Sequence, residues 1–142
     1  MADDPKPIIV DTSIIFSVML RGQSRLAEIL LQSDHRLFVC EYVFVELFKH
    51  KERIIQAAHL SEDDVLHLLH IIMRRVDIFK EDLIRPENRQ KAAILCADVD
   101  ENDTAHVALT LELDGLLWTG DKKLMNGLAR KGFTQFFDPN QP

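Results

Sequence analysis

The segment Ile8-Ile9-Val10-Asp11-Thr12-Ser13 joins a run of β-branched residues to three polar ones. The apolar run is typical of a short buried strand, and Asp, Thr and Ser are residues that cap the first turn of a helix. An apolar run followed by a helical pattern returns at Leu37–Cys40 and at Leu116–Thr119. Strands that alternate with helices form parallel sheets covered by helices. The sequence therefore predicts an α/β fold of three layers, in which a mostly parallel sheet of about four or five strands has helices on both faces.

The other elements follow from hydrophobic spacing and from capping residues. Helices are expected from Thr12 to about Leu20, from Ser24, from Val43 to about His59, from Ser61 to Arg75, from Pro86 to about Ala97, from Asp103 (capped by Asn102 or Asp100) to about Leu113, and from Asp121 to about Gly132. A last strand is expected at 133–137, and residues 76–79 form either a strand or a connection. We expect one domain at residues 8–137, a flexible N-terminal tail at 1–7 and a C-terminal tail at 138–142.

Four acidic residues occupy related places in this pattern. Asp11 and Asp121 follow predicted strands, Asp103 opens a helix, and Glu46 lies within an apolar helix. Ligands of parallel α/β sheets bind at the carboxyl ends of the strands, so this topology can gather carboxylates that are distant in sequence. Two such charges ~4 Å apart repel by about 4 kcal/mol at an effective dielectric of ~20. The pattern therefore predicts a hard divalent cation held by oxygen ligands.

Each acid also has a simpler interpretation. Asp11, Asp103 and Asp121 can be ordinary helix caps, because the helix dipole favours anions at the first turn. Glu46 can pair with Lys49 or His50, one turn further along its helix. Capping does not account for the whole acidic run from Asp98 to Asp103.

Composition limits the classes of function. A chain of 142 residues with a formal net charge of −6 lacks the basic balance of proteins that bind nucleic acid broadly. A local basic patch beside an acidic site is still compatible with that charge. Cys40 and Cys96 lie in apolar patterns and are expected to be buried thiols of a cytoplasmic protein. The N-terminus lacks the apolar core of a secretory signal, and the longest apolar stretches are far shorter than the ~18 residues of a membrane span.

The motifs together resemble those of PIN domains, many of which are VapC-like ribonuclease toxins of bacterial and archaeal toxin–antitoxin pairs. The resemblance covers about residues 8–137 and rests on Ile-Val-Asp11-Thr-Ser13, Val45-Glu46-Leu47, Asp103-Thr-Ala-His-Val-Ala-Leu and Trp-Thr119-Gly-Asp121-Lys-Lys-Leu124. Family members often carry a proline shortly before the motif glutamate, whereas Cys40-Glu41-Tyr42 has none here.

The resemblance implies an RNA phosphodiesterase that depends on Mg²⁺ or Mn²⁺. By motif match, Asp11, Glu46, Asp103 and Asp121 are the expected metal-site carboxylates, with Ser13 and Thr119 as supporting hydroxyls and Asp100 as a further candidate ligand. An RNA substrate, a cognate antitoxin protein and a homodimer are the implied partners. Metal-assisted hydrolysis suits these residues, since the ion activates water and neutralises charge on the phosphate.

Two other functions compete with this prediction. An apolar strand followed by Asp11 also opens the sites of haloacid-dehalogenase-type phosphatases, but that family has a second Asp where this chain has Ser13. A catalytically silent PIN-like RNA-binding module is the non-enzymatic alternative.

The sequence gives weaker indications of a functional role for the histidines and the basic residues. His67 and His70 are three apart on a helix and are expected to be surface residues, while His106 lies one turn after Asp103. Basic residues near the acidic edge are candidates for holding RNA phosphates or for ordinary surface charge. They are Arg21, Arg25, Lys49, Lys51, Lys122 and Lys123.

Overall fold

The fold is an α/β arrangement of four strands and eight helices, seen in a computed structural model that describes residues 5–21 and 24–140. The strands are β1 (Ile8–Val10), β2 (Leu37–Cys40), β3 (Asp77–Phe79) and β4 (Leu116–Trp118). The helices are α1 (Thr12–Arg21), α2 (Arg25–Gln32), α3 (Tyr42–Lys49), α4 (Lys51–Ala58), α5 (Glu62–Arg75), α6 (Pro86–Cys96), α7 (Thr104–Leu113) and α8 (Lys122–Arg130). Short 3-10 turns lie at Glu81–Leu83 and Glu101–Asp103.

The four strands form one parallel sheet in the order β3-β2-β1-β4. Val10 lies opposite Trp118, so β1 and β4 end side by side. All carboxyl ends therefore share one edge, and Asp11 continues the ladder by donating its amide to the Trp118 carbonyl at 3.1 Å. The predicted α/β class with a parallel sheet is confirmed.

The side chains of each strand alternate between the two faces of the sheet, as the pleat requires. In β1, Ile8 and Val10 pack with helices α1–α5, whereas Ile9 packs with helices α6–α8. In β4, Trp118 faces the first core and Leu117 the second. Strands β1, β2 and β4 are apolar on both faces because both are covered, which gives the three layers expected from the sequence, whereas the edge strand β3 leaves Asp77 and Ile78 exposed.

Two predictions about secondary structure are wrong. The helix expected from Val43 to His59 breaks at His50, whose backbone (φ −108°, ψ 13°) ends α3 and lets α4 pack against α1. The strand expected at 133–137 is reduced to a single parallel bridge between Leu117 and Phe136. Gly132, at φ +90°, leads into this segment, and the Phe136 amide turns back to the Thr134 carbonyl. Residues that fold back on themselves cannot continue a ladder.

Several capping predictions are confirmed. Ser24 accepts the Ala27 amide, Ser61 accepts the Asp64 amide, and Asp121 accepts the Leu124 amide. Residues 76–79, for which the sequence allowed two readings, supply β3. Of the two expected tails, residues 1–4 and 141–142 lie outside the described residues.

Gly115 follows a helix that ends in a left-handed residue, Asp114 at φ +48°. A Cβ at Gly115 would lie 2.5 Å from the Pro7 carbonyl oxygen, so the position needs glycine for close approach rather than for its dihedral angles.

The two cysteines are free and buried, as predicted. Burial raises the pKa of the Cys40 thiol far above its ordinary value and that of Cys96 to about 11. Within the described part of the chain, no helix is long and apolar enough to cross a membrane.

Candidate metal centre

The acidic residues predicted from the sequence line one cavity of about 280 Å³ at the carboxyl edge of the sheet. The lining comprises Asp11, Thr12, Ser13, Phe16, Glu46, Asp100, Asn102, Asp103 and Asp121. The cavity thus collects Asp11 from the junction of β1 and α1 together with residues of α1, α3, the 3-10 turn before α7 and the loop after β4. Their part in binding a metal stays a prediction.

Asp11 is the most buried of these acids, with 2% of its surface exposed. Its Oδ1 accepts the Ser13 hydroxyl and the Ile14 amide, so the same carboxylate starts α1 and faces the cavity. The Ser13 hydroxyl oxygen also accepts the Gly120 amide at 3.2 Å. Ser13 therefore links the start of α1 to the loop after β4. Its hydroxyl positions these two segments relative to each other.

Glu46 lies on α3 and is half-buried. The Thr12 hydroxyl donates to its Oε1 at 2.8 Å. Among the described residues, the salt bridges include no pair of Glu46 with Lys49 or His50, so that alternative is wrong. Thr12, itself buried, holds the glutamate toward the cavity.

Asp100, Asp103 and Asp121 each offer a carboxylate oxygen, and the three oxygens lie within 4.8 Å of one another. Two of these acids have capping roles as well: Asp100 accepts the Asn102 amide at 2.9 Å, and Asp121 accepts the Leu124 amide at 3.0 Å. Asp103 begins α7 without a side-chain cap hydrogen bond. The simple capping interpretation therefore fails for Asp103.

Thr119 supports Asp121 through the backbone. Its Oγ1 accepts the Asp121 amide at 3.1 Å, and the residue is buried at the end of β4. This contact sets the turn from which the Asp121 side chain reaches both α8 and the cavity.

The cavity raises the pKa of Asp103 from 3.8 to about 7. Burial is the largest cause, and the charges of Asp11, Asp100 and Asp121 add to it. A carboxyl group whose pKa is raised by burial and by neighbouring negative charges is typical of a site that accommodates a cation.

The donor set fits a hard divalent cation. All acidic donors of the cavity are carboxylates, the ligands that Mg²⁺ and Mn²⁺ prefer, and no cysteine or histidine belongs to the lining. Mg²⁺ holds its oxygens at about 2.0–2.1 Å, so ligands of one ion lie about 4 Å apart or less. The three carboxylate oxygens that lie within 4.8 Å of one another are close to that spacing.

His106 does not belong to the lining of the cavity. It is 1% exposed, and its Nδ1 has no hydrogen-bond partner among the described residues. Burial lowers the pKa of this imidazole, while the charges of Asp11, Glu46 and Glu81 oppose that effect. His67 and His70 are exposed on α5, as expected.

The predicted basic rim is partly engaged elsewhere. Lys51 pairs with Glu62 at 3.1 Å, and Arg25 donates to the Pro139 carbonyl at 3.4 Å. The other four candidates, Arg21, Lys49, Lys122 and Lys123, are exposed. These exposed cations are the better candidates for contact with an anionic substrate.

Sequence reasoning missed three lining residues, Thr12, Asn102 and Phe16. Thr12 was considered only as part of a cap, although its hydroxyl positions Glu46 34 residues away. Asn102 was considered only as a cap of α7, yet it lines the cavity. The place of Thr12 between two site residues was a usable signal, whereas nothing in the local sequence distinguished Asn102.

Comparison with known proteins identifies the family of the chain and its fold. The sequence model of the PIN domain family matches residues 9–136. No curated protein matches the chain. Among solved structures, VapBC-1 from nontypeable Haemophilus influenzae is similar with a TM-score of 0.67 and 19% sequence identity, covering 94% of this chain and 98% of that one. At 19% identity the structural likeness shows the fold alone. The family match covers most of the sequence, and the chain therefore belongs to the PIN-domain family.

Proposed function

We propose that this protein is a metal-dependent endoribonuclease that hydrolyses RNA phosphodiester bonds. The observation that carries the proposal is the cavity in which five carboxylates meet and the pKa of Asp103 rises to about 7. PIN domains are generally nucleases, and the family match supports the same reaction class. Such a cluster is costly for the apo fold unless a cation compensates it.

The proposed ligands are Asp11, Glu46, Asp103 and Asp121, with Asp100 beside them. A bound Mg²⁺ or Mn²⁺ supplies activation of water and neutralisation of phosphate charge. Ser13 and Thr12 hold Asp11 and Glu46 in place through the hydroxyl contacts described above. Their role is to keep the carboxylates preorganised, so that little reorganisation is needed when substrate binds.

The biological role that we propose is that of the toxin in a toxin–antitoxin pair, acting in the cytoplasm. The similar structure is that of VapBC-1, which supports the proposal of an antitoxin partner. We propose a homodimer on the same family resemblance.

The phosphatase alternative has less support. Its second acid is replaced by Ser13, and Oδ1 of Asp11 already accepts the Ser13 hydroxyl and the Ile14 amide. A phosphomonoester assay with wild type and Asp11→Asn separates this activity from RNA cleavage.

The test of the proposal is cleavage of single-stranded RNA by purified protein in Mg²⁺, in Mn²⁺ and in EDTA. Wild type should cleave in either metal and not in EDTA. Asp11→Asn and Asp103→Asn should each lose cleavage by at least ~100-fold while keeping a wild-type circular dichroism spectrum, because they remove a ligand but keep the shape.

Asp98→Asn is the matched control. Asp98 belongs to the same acidic run but lies outside the cavity, paired with Lys131, so its replacement should leave cleavage unchanged. Cleavage that persists in EDTA, or equal activity in Asp11→Asn, would refute the mechanism. Protein that binds RNA without cleaving it in either metal would favour the binding module.

A further inference from the structure

A second cavity, of about 490 Å³, lies beside the acidic one. Its lining is Tyr42, Glu81, Asp82, Ile84, Arg89, Glu101, Asn102, Thr104, Ala105 and Ala108. Asn102 lines both cavities, and the 3-10 turn Glu101–Asp103 runs between them. The volume is in the range of small-ligand pockets, about 300–1,000 Å³. A strand of RNA whose phosphate lies at the acidic cavity would place a neighbouring nucleotide here.

Tyr42 gives this cavity an aromatic wall. It begins α3 at the carboxyl end of β2, it is 38% exposed, and it is the single tyrosine of the chain. Exposed aromatic rings are the platforms on which proteins stack unpaired bases. With 38% of its surface exposed and a place in the lining, Tyr42 is accessible to a ligand in this cavity.

The charges of the lining disfavour a phosphate and favour a base with hydrogen-bond donors. Three carboxylates, Glu81, Asp82 and Glu101, accompany one cation, Arg89. Carboxylates repel phosphate but accept hydrogen bonds from the amino and ring N–H groups of bases.

Glu81 is the acid that the structure holds in place. The Tyr42 amide donates to its Oε1 at 3.0 Å, and the Glu81 amide donates to Oε1 of Glu41 at 3.3 Å. Among the described residues no hydrogen-bond donor takes Oε2 of Glu81. These reciprocal bonds join the start of α3 to the turn after β3. They also hold the Glu81 carboxylate at the backbone of Tyr42, in the lining of the same cavity.

We propose that this cavity is a nucleobase subsite in which Tyr42 stacks on the base and Glu81 accepts hydrogen bonds from its donor edge, with guanine preferred. The proposal rests on the proposed RNA substrate and adds a specificity determinant to it. Guanine presents two adjacent donors on its Watson–Crick edge, whereas uracil presents one donor between two acceptors, which carboxylates repel.

The first experiment follows nucleotide binding through the NMR signals of Tyr42 and does not depend on RNA cleavage. Because the chain has one tyrosine, protein labelled with ring-¹³C tyrosine gives the signals of Tyr42 alone. Guanosine 5′-monophosphate should shift these signals in a saturable way, and uridine 5′-monophosphate should bind about tenfold more weakly. In Glu81→Gln, which keeps an oxygen for the Tyr42 amide, the two nucleotides should bind alike. Absence of a shift with either nucleotide overturns the subsite, and equal binding of both to wild type overturns the assignment of Glu81.

The second experiment compares cleavage of a randomised RNA pool by variants. Tyr42→Phe should keep the base preference, since it keeps the stacking face, while Tyr42→Ala should lower cleavage about tenfold and flatten the preference. Asp77→Asn, an acid at the opposite end of β3, is the control and should match wild type. An unchanged preference in Tyr42→Ala contradicts the proposal.

The two experiments separate failure of the subsite from failure of the proposed function. Guanine-selective shifts of Tyr42 in a protein that cleaves no RNA would support the subsite and reject the nuclease. Metal-dependent cleavage by a protein whose Tyr42 signals do not shift with nucleotide would support the nuclease and reject the subsite.

Discussion

In the absence of metal, Asp103→Asn should make the protein more stable at pH 8 and leave its stability almost unchanged near pH 4. The pKa of Asp103 is raised from 3.8 to about 7, chiefly by burial and then by the charge of Asp11. Between these values the folded protein keeps a proton that the unfolded chain has lost, so the free energy of unfolding falls as pH rises. The stabilising effect of protonation is complete below about pH 3.8 and is lost as pH rises through about 7.

The size of the effect follows from the same shift. A rise from 3.8 to about 7 corresponds to about 4 kcal/mol at most, at about 1.4 kcal/mol for each pKa unit. Asp103 is only half-buried, so water screens its repulsion and reduces the expected gain of the asparagine variant to about 1–2 kcal/mol at pH 8. For a domain of this length that gain raises the Tm by about 3–6 °C.

The assay is a set of thermal melts of wild type and Asp103→Asn from pH 4 to pH 8, in EDTA and in Mg²⁺. Mg²⁺ should raise the Tm of wild type by mass action and should do little for the variant. Asp98→Asn is the control, because the pKa of Asp98 is shifted in the opposite direction: a hydrogen bond from Lys131 lowers it. Removing the Asp98 charge should therefore bring no gain in stability at pH 8.

One result would refute this reasoning. If Asp103→Asn melts below wild type in EDTA at pH 8 and wild type does not respond to Mg²⁺, Asp103 acts as an ordinary cap. Asparagine is itself a good cap, so this variant would lose only the favourable charge at the helix start, which is worth roughly 0.3–1 kcal/mol.

Three further outcomes are expected. Thr12→Val should lower RNA cleavage and destabilise the fold by about 1 kcal/mol, because Glu46 loses its 2.8 Å hydrogen bond; wild-type cleavage in this variant would contradict that role. His106→Leu should raise stability at pH 7 by about 1 kcal/mol without loss of cleavage, since it removes an unpaired buried Nδ1; denaturant melts measure the gain, and lost cleavage would give His106 a direct role. Gly127→Ala should destabilise by about 1–3 kcal/mol, because its Cβ would lie 2.7 Å from Val99, and Val99→Ala should relieve the clash in the double variant.

The local sequence was sufficient to place β1, β2 and β4 and most helix starts. Apolar runs of three or four residues with polar caps after them are decided by side chains a few positions apart, as at Val10 and Asp11. The sequence also predicts that the acids at the strand ends lie on one edge of the sheet, because parallel strands have their carboxyl ends on the same edge.

The break at His50 and the single bridge at Phe136 could not be predicted in the same way. The apolar spacing of residues 43–59 fits one long helix, and only packing of α4 against α1 requires the chain to turn there. Residues 133–137 have the aromatic content of a strand, but the partner strand β4 offers them one paired position. Secondary structure that depends on a distant partner is not encoded by local periodicity.

By itself, the sequence determined which residues stand at the strand ends and what chemistry they carry, since residue type and local spacing are sequence properties. Only the tertiary structure decided how they act on one another: the Thr12 hydroxyl that holds Glu46, the pKa of about 7 at Asp103, and the position of Tyr42 beside Glu81. Hydrogen bonds act over about 3 Å, and charge interactions depend on burial as well as distance. Both quantities exist only once the sheet has brought residues from different parts of the chain to one edge.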